Sequence, residues 1–144
     1  MNPLRILIVD DHPINIELAG FVLSADGFEV EIAADAEQAL ARISTSRPDL
    51  VLMDIQMPGT DGLALTQRLK LDPATQGIVV VAFTVYAMKG DEARLRAAGC
   101  DGYIAKPIQV ASFAATVRAL LQQAAAAVGP GLADPAPTQA EPKA

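Results

Sequence analysis

The chain has 144 residues, which is enough for one well-packed domain but not for two of ordinary size. Its residues are 51% hydrophobic and 4% aromatic, and the net charge of −6 with 11 scattered Lys and Arg argues against a protein that binds nucleic acid through its phosphates. The single cysteine excludes an intramolecular disulfide and a multi-cysteine metal cluster. No apolar run is long enough to span a membrane and the N-terminus lacks a secretory signal, so we expect a cytoplasmic protein without membrane contacts.

Five apolar, β-branched segments alternate with helical patterns along the chain. We predict strands at 4–9, 28–33, 49–53, 78–83 and 102–105. We predict helices at 13–25, 35–46, 61–71, 87–98 and 108–127. The first, third and fourth strands are nearly continuous hydrophobic runs, which is typical of strands buried on both faces. The alternation predicts an α/β domain in which right-handed crossovers place helices on both faces of a parallel sheet.

Two of these helices have informative apolar patterns. The first helix carries a single apolar stripe, formed by Ile14, Leu18, Phe21 and Val22. This stripe predicts packing against the core. The fourth helix has little apolar content beyond Met88 and Leu95, which favours a weakly packed element that is able to move.

The C-terminal segment differs from the rest of the chain. From Gly129 onward it contains four prolines and almost no large apolar residue, so it can neither continue a helix nor bury enough surface to offset the entropy of ordering. We therefore predict one domain over residues 1–127 and a flexible, Pro/Ala-rich tail over residues 128–144.

Polar side chains follow four of the predicted strands, at the point where each strand ends. Asp10 and Asp11 follow the first strand, Asp54 follows the third, Thr84 the fourth and Lys106 the fifth. Because the carboxyl ends of parallel strands meet at one edge of a sheet, these side chains should lie together. Crowded carboxylates are unfavourable unless a cation enters, and hard oxygen ligands select Mg²⁺ or Mn²⁺. The pattern predicts a magnesium and phosphoryl site.

Each of these residues also has an ordinary structural explanation. An Asp-Asp pair before a helix can be an N-cap, a lysine before a proline can be a solvated charge, and Thr84 can bond to the backbone. Together, those explanations would leave three carboxylates packed without a purpose. His12, the only histidine, is expected to cap or flank the first helix rather than to act as a ligand, and Cys100 is expected to be small and buried.

The motifs as a set resemble the receiver domain of two-component response regulators. They are Asp10-Asp11, Asp54 within MDIQMPGTDG, Thr84 after Phe83, and Lys106-Pro107, and they follow the family's order and spacing over roughly residues 4–122. The composition is most similar to stand-alone receivers of the cell-cycle type and to receivers attached to hybrid kinases. The resemblance implies a flavodoxin-like, doubly wound sheet with five parallel strands in the order 2-1-3-4-5 and five helices.

The resemblance also implies a role for each acidic residue. Asp54 would be the phosphoacceptor that takes a phosphoryl group from a phosphohistidine. Asp11 and Asp54 would bind Mg²⁺ directly, Asp10 would bind it mainly through water, and the backbone carbonyl of Gln56 would supply a further ligand. Mn²⁺ would substitute for Mg²⁺.

The remaining family positions imply catalysis and a switch. Lys106 would neutralise the transferring group, helped by a cis bond to Pro107, and Thr84 would hydrogen-bond a phosphoryl oxygen. Tyr103 matches the aromatic residue that moves inward when Thr84 moves toward the phosphate. Val85 replaces the family's usual Ala or Gly and, with Gln56 and Tyr86 at the same opening, is expected to narrow access to the site.

Several functions stay open at this point. The resemblance implies a single-domain response regulator that accepts phosphate from a histidine kinase or a phosphotransfer protein and binds a protein target through the fourth helix, fifth strand and fifth helix. The alternative is a phosphorelay shuttle or phosphate sink between a hybrid kinase and a histidine phosphotransfer protein. Catalysis would be limited to Mg²⁺-dependent self-phosphorylation and slow self-dephosphorylation. A phosphatase-like enzyme is disfavoured because no substrate pocket is evident, and an FMN carrier because the Asp pair would repel a phosphate.

Overall fold

The computed structural model describes residues 3–57, 60–84, 89–106 and 108–128. Within these ranges, residues 56, 57, 60, 61, 89–92 and 125–128 are described by their backbone only. Val85, Tyr86, Pro107 and the predicted tail beyond residue 128 lie outside the described residues, so the expectations for them stay predictions. In the described part of the chain, no helix combines the length and the apolar character needed to cross a membrane.

Five parallel strands form the central sheet, as the sequence predicts. They are β1 (Arg5–Val9), β2 (Glu29–Ala33), β3 (Leu50–Asp54), β4 (Val79–Thr84) and β5 (Gly102–Ala105). Their order across the sheet is β2-β1-β3-β4-β5, and every neighbouring pair is parallel. The predicted doubly wound, flavodoxin-like order is therefore confirmed.

Five helices cover the two faces of this sheet. They are α1 (Pro13–Ala25), α2 (Ala36–Thr45), α3 (Gly62–Leu71), α4 (Lys89–Ala97) and α5 (Val110–Val128). The sequence did not predict a short antiparallel pair, Gln56–Met57 with Thr60–Asp61, which lies between β3 and α3. Two-residue strands are too short to produce a periodic pattern, so this pair is visible only in the folded chain.

The strand residues alternate between two separate hydrophobic cores, because successive side chains in a strand point to opposite faces. On one face, Leu7, Val51 and Val80 pack with residues of α2, α3 and α4. On the other face, Ile8 and Leu52 pack with residues of α1 and α5. All residues of β3 and β4 are buried, which confirms the expectation drawn from their continuous hydrophobic runs.

The apolar stripe of α1 faces solvent for most of its length, so the predicted packing of this stripe is wrong. Ile14 is 78% exposed and Phe21 is 74% exposed, and Leu18 is also exposed, whereas Ala19 and Leu23 are buried. Val22 alone of the predicted stripe packs against the core. α1 is apolar on more than one side, and periodicity cannot tell which side meets the sheet; the small Ala19 faces the sheet and lets the helix approach it closely.

The fourth helix has one buried residue among those whose side chains the structure describes, 93–97. Leu95 packs into the core on this face of the sheet, whereas Ala93, Arg94 and Arg96 are exposed. Met88, the other apolar residue expected to anchor this helix, lies outside the described residues.

Candidate functional site

Four polar side chains meet at the carboxyl edge of the sheet. Asp10 directly follows β1, Asp54 ends β3, Thr84 ends β4, and Lys106 directly follows β5. These strands are consecutive neighbours in the sheet, so the topology alone brings the four residues together. Asp10, Asp54 and Thr84 are buried, and only their location at the strand ends gives them access to a ligand.

Lys106 reaches into the group of carboxylates. Its Nζ atom lies 3.0 Å from Asp10 Oδ2 and 3.3 Å from Asp54 Oδ2, and its side chain is 7% exposed. The ammonium also lies 4.9 Å from the centroid of the Phe83 ring, which is a favourable cation–π distance. A solvated charge in a turn does not fit this environment. Lys106 is instead a buried cation aimed at the two aspartates.

The environment of Asp10 favours its ionised form. Burial by itself would raise the pKa of this carboxyl, but the backbone N–H of His12 and the ammonium of Lys106 outweigh it and hold the pKa below its ordinary value. The His12 N–H donates to Asp10 Oδ1 at 2.9 Å. Asp10 is therefore a carboxylate at neutral pH, despite its complete burial.

The charges of this cluster fit a divalent cation. Asp10, Asp11, His12 and Asp54 each offer one ligand atom, and these atoms lie within 4.8 Å of one another. The three carboxylates together with Lys106 leave a formal charge of −2, which one divalent ion would neutralise. Carboxylate oxygens are the ligands that Mg²⁺ and Mn²⁺ prefer. The residues present therefore fit the metal that the sequence predicts.

His12 belongs to this cluster, which sequence reasoning missed. It occupies the N-cap position of α1, but its side chain makes no capping hydrogen bond. The ring Nδ1 atom lies 3.2 Å from both Asp10 Oδ1 and Asp11 Oδ1. His12 therefore flanks α1 from its N-cap position, as expected, but its side chain turns to the carboxylates instead of capping the helix. The adjacency of His12 to the Asp pair was the available signal, but sequence does not determine the direction of an imidazole ring.

The start of α3 packs directly on the backbone of the Asp54 segment. A Cβ atom added to Gly62 would lie 2.5 Å from the carbonyl oxygen of Asp54 and 3.0 Å from Cα of Ile55. Only a glycine permits this approach. Directly after Ile55, the backbone of Gln56 pairs with Asp61, so the segment that carries the predicted carbonyl ligand is bound on one side by a backbone ladder.

Thr84 and Tyr103 lie on the same face of the sheet. In the register of β4 and β5, Tyr103 is opposite Ala82 and Thr84 is opposite Ala105, two residues further along each strand. Tyr103 is half-buried and packs against the core of the α2, α3 and α4 face. The backbone N–H of Lys106 donates to the carbonyl of Thr84 at 2.9 Å. The two predicted switch residues are thus diagonal neighbours beside the cluster.

The family model for the response regulator receiver domain matches residues 6–118, a span that includes every residue of this cluster. The chain belongs to the response regulator receiver domain family. As in other receiver domains, its role is signalling in a two-component system rather than that of a classical enzyme.

Individual relatives agree with this assignment over most of their length. The polar-differentiation response regulator DivK of Brucella anthropi is 42% identical over 122 residues, which are 85% of this chain and 99% of that protein. A CheY-like receiver domain protein of Methanospirillum hungatei is 32% identical with a TM-score of 0.76, and the match covers 87% of this chain and 98% of that one. The signal receiver domain of a histidine kinase from Syntrophus aciditrophicus is 34% identical with a TM-score of 0.73, over 83% and 90% of the two chains.

Proposed function

We propose that this chain is a stand-alone response regulator whose Asp54 accepts a phosphoryl group from a histidine kinase or a histidine phosphotransfer protein. The observation that carries this proposal is the convergence of buried Asp54 with the Lys106 ammonium, 3.3 Å from Asp54 Oδ2, at the carboxyl edge of the sheet. The similarity to DivK over nearly the whole of that protein supports the stand-alone form. A cytoplasmic location is part of the same proposal.

In the proposed reaction, the carboxylate of Asp54 attacks the phosphorus of a phosphohistidine. A new O–P bond forms, the N–P bond breaks, and its electron pair leaves with the imidazole of the partner. Mg²⁺ bound by Asp11, Asp54 and the Gln56 carbonyl, with Asp10 behind a water, would supply positive charge to the phosphoryl oxygens. Lys106 is held at the same place from the side of β5, so it would stabilise the negative charge that spreads over these oxygens.

The acyl phosphate would then bias a switch. It carries about −1.5 to −2 charge and three acceptor oxygens, to one of which the hydroxyl of Thr84 would donate. Movement of Thr84 toward the phosphate would leave space for Tyr103, its diagonal neighbour on the same face. Among the described side chains of α4, at residues 93–97, only Leu95 is buried, which favours a displacement of that helix. A downstream protein would distinguish the two states on the surface of α4, β5 and α5.

The exposed stripe of α1 is the surface that we assign to the phosphate donor. α1 begins directly after the aspartate pair, so its first turns adjoin the site. Ile14 and Phe21 stand out to solvent there, and large exposed apolar side chains of this kind mark protein contacts. An amphipathic helix of the donor would bury them and bring its phosphohistidine to Asp54.

Asp54→Asn tests the phosphoacceptor directly. Wild type and variant are incubated with acetyl phosphate and Mg²⁺, and intact-mass spectrometry is used to detect the addition of one phosphoryl group. Only the wild type should be modified, and Asp72→Asn, which removes an exposed carboxylate outside the cluster, should behave as wild type. Modification of Asp54→Asn to the same extent would remove Asp54 from this role.

Phe21→Ala separates the donor surface from the chemistry. Phosphorylation by acetyl phosphate should not change, whereas transfer from a phosphorylated kinase or phosphotransfer protein should slow by about tenfold or more, as for an interface hot spot. Leu71→Ala is the matched control, because Leu71 is an exposed apolar residue on α3 rather than α1. Equal slowing by both variants would contradict the assignment of α1.

The phosphorelay shuttle is the second candidate. It is favoured by the 34% identity to the signal receiver domain of a histidine kinase. The two roles differ in the direction of transfer after Asp54 is phosphorylated. A shuttle would return its phosphate to a histidine phosphotransfer protein within seconds, whereas a regulator would retain it and bind a target. A time course with each purified donor distinguishes them.

A further inference from the structure

The ring of His12 is positioned as an additional ligand of the proposed metal site. Its Nδ1 atom lies 3.2 Å from Asp10 Oδ1, 3.2 Å from Asp11 Oδ1 and 3.8 Å from Asp54 Oδ2. The imidazole thus faces all three carboxylates at once. The roles proposed above use the carboxylates and the Gln56 carbonyl but leave this nitrogen without a function.

These separations agree with ligands that share one small cation. Divalent first-row ions bind nitrogen and oxygen at about 2.0–2.2 Å, so two neighbouring ligands at right angles are separated by about 3.0 Å. The two 3.2 Å distances from His12 Nδ1 are close to this right-angle separation. The 3.8 Å distance to Asp54 lies between it and the separation of two ligands on opposite sides of the ion.

The chemistry of imidazole changes which ion such a site prefers. A set of carboxylates, a carbonyl and water suits Mg²⁺, whereas imidazole suits Zn²⁺, Ni²⁺, Cu²⁺ and Fe²⁺. Affinity for a nitrogen-containing set rises from Mn²⁺ through Co²⁺ to Ni²⁺, while Mg²⁺ gains little from a nitrogen ligand. We propose that His12 is a metal ligand through Nδ1 and that it shifts the selectivity of this receiver domain from Mg²⁺ toward late first-row divalent ions.

A purely structural function of the ring predicts a different result. His12 Nδ1 is within hydrogen-bonding distance of Asp10 Oδ1, which already accepts the His12 backbone N–H at 2.9 Å. If the ring only orients Asp10, its loss should weaken every metal alike, because all of them would use the same disturbed carboxylate. If the ring is a ligand, its loss should weaken only the ions that bind nitrogen well.

The experiment measures metal affinity without phosphorylation. Tag-free wild type, His12→Asn and Asp11→Asn are titrated with Mg²⁺ and with Ni²⁺ by calorimetry at about pH 7.5. For His12→Asn we expect Ni²⁺ affinity to fall by about tenfold or more, and Mg²⁺ affinity to change by less than about threefold. Asp11→Asn is the matched control and should weaken the binding of both ions.

A spectroscopic signature completes the test. Since the chain has one histidine, a protein labelled with ¹⁵N in its imidazole gives a single pair of ring nitrogen signals. Addition of diamagnetic Zn²⁺ should shift the Nδ1 signal as coordination requires, whereas Mg²⁺ should shift it far less.

Equal losses of Ni²⁺ and Mg²⁺ in His12→Asn, or an Nδ1 signal that does not respond to Zn²⁺, would overturn the inference. The inference rests on the proposed metal site but not on phosphoryl transfer. If the wild type binds Mg²⁺ but His12→Asn binds both ions as tightly as the wild type does, only this inference is refuted. Wild-type protein that binds neither ion would refute the proposed metal site as well.

Discussion

Lys106→Met is the most informative single substitution for the electrostatics of the site. It removes the ammonium between Asp10 and Asp54 while retaining a flexible apolar stem beside Phe83. Two buried carboxylates would then face each other without a cation. We expect the metal-free protein to lose a large part of its stability, even though the substitution leaves both hydrophobic cores intact.

The size of the loss follows from burial and distance. At 3.0 Å and an effective dielectric constant of about 20, one ion pair is worth about 5 kcal/mol before desolvation of the charges. Removal of one partner from a buried pair costs about 3–5 kcal/mol in practice. For a domain of this size, about 3 °C of melting temperature corresponds to 1 kcal/mol, so the transition should fall by about 10–15 °C.

The assay is thermal denaturation for the melting temperature and urea denaturation for the free energy of unfolding, both followed by circular dichroism with EDTA present. Arg5→Met is the control, because Arg5 and Glu29 form an ion pair whose side chains are 46% and 54% exposed, and such a pair contributes about 1 kcal/mol or less. Addition of Asp54→Asn to Lys106→Met should recover part of the loss, because it removes one of the opposed charges. A loss below about 1 kcal/mol in Lys106→Met would refute the idea that this ammonium holds the two carboxylates together.

Three further predictions concern other parts of the chain. Gly62→Ala should lower the free energy of unfolding by about 1–3 kcal/mol and slow phosphorylation, because the new Cβ atom would clash with the carbonyl of Asp54. Gly20→Ala is the control: a Cβ atom there has its nearest neighbour at 4.0 Å, so the substitution should be neutral or slightly stabilising in the same melts. Burial raises the pKa of the Cys100 thiol, so a thiol reagent at about pH 8 should react far more slowly with the native protein than with the urea-unfolded chain. The neutral thiol contributes its stability in full below its ordinary pKa, and this stability is lost as the pH rises through the raised value. Deletion of residues 129–144 should change neither the melting temperature nor labelling by acetyl phosphate, and a loss of several degrees would mean that this segment packs on the domain.

Much of the architecture was predictable because it depends on local patterns and on topology. Continuous runs such as those of β3 and β4 predict strands buried on both faces, and the alternation with helices leaves a doubly wound parallel sheet as the consistent solution. Once the strands are parallel, residues that end them must share an edge. The proximity of Asp10, Asp54 and Lys106 followed from that rule without any coordinates.

The tertiary structure decided what periodicity and composition leave undetermined. α1 has apolar residues on several sides, and only its packing through Ala19 and Leu23 turned Phe21 outward. The ring of His12 could point along the helix or toward the carboxylates, and its approach to Asp54, 3.8 Å away on a distant segment, exists only in the folded chain. The need for a glycine at the start of α3 likewise exists only because that helix is pressed against the backbone of Asp54. Local sequence thus determined the five main strands and the five helices, whereas contacts between distant segments determined which faces are buried and which side chains meet.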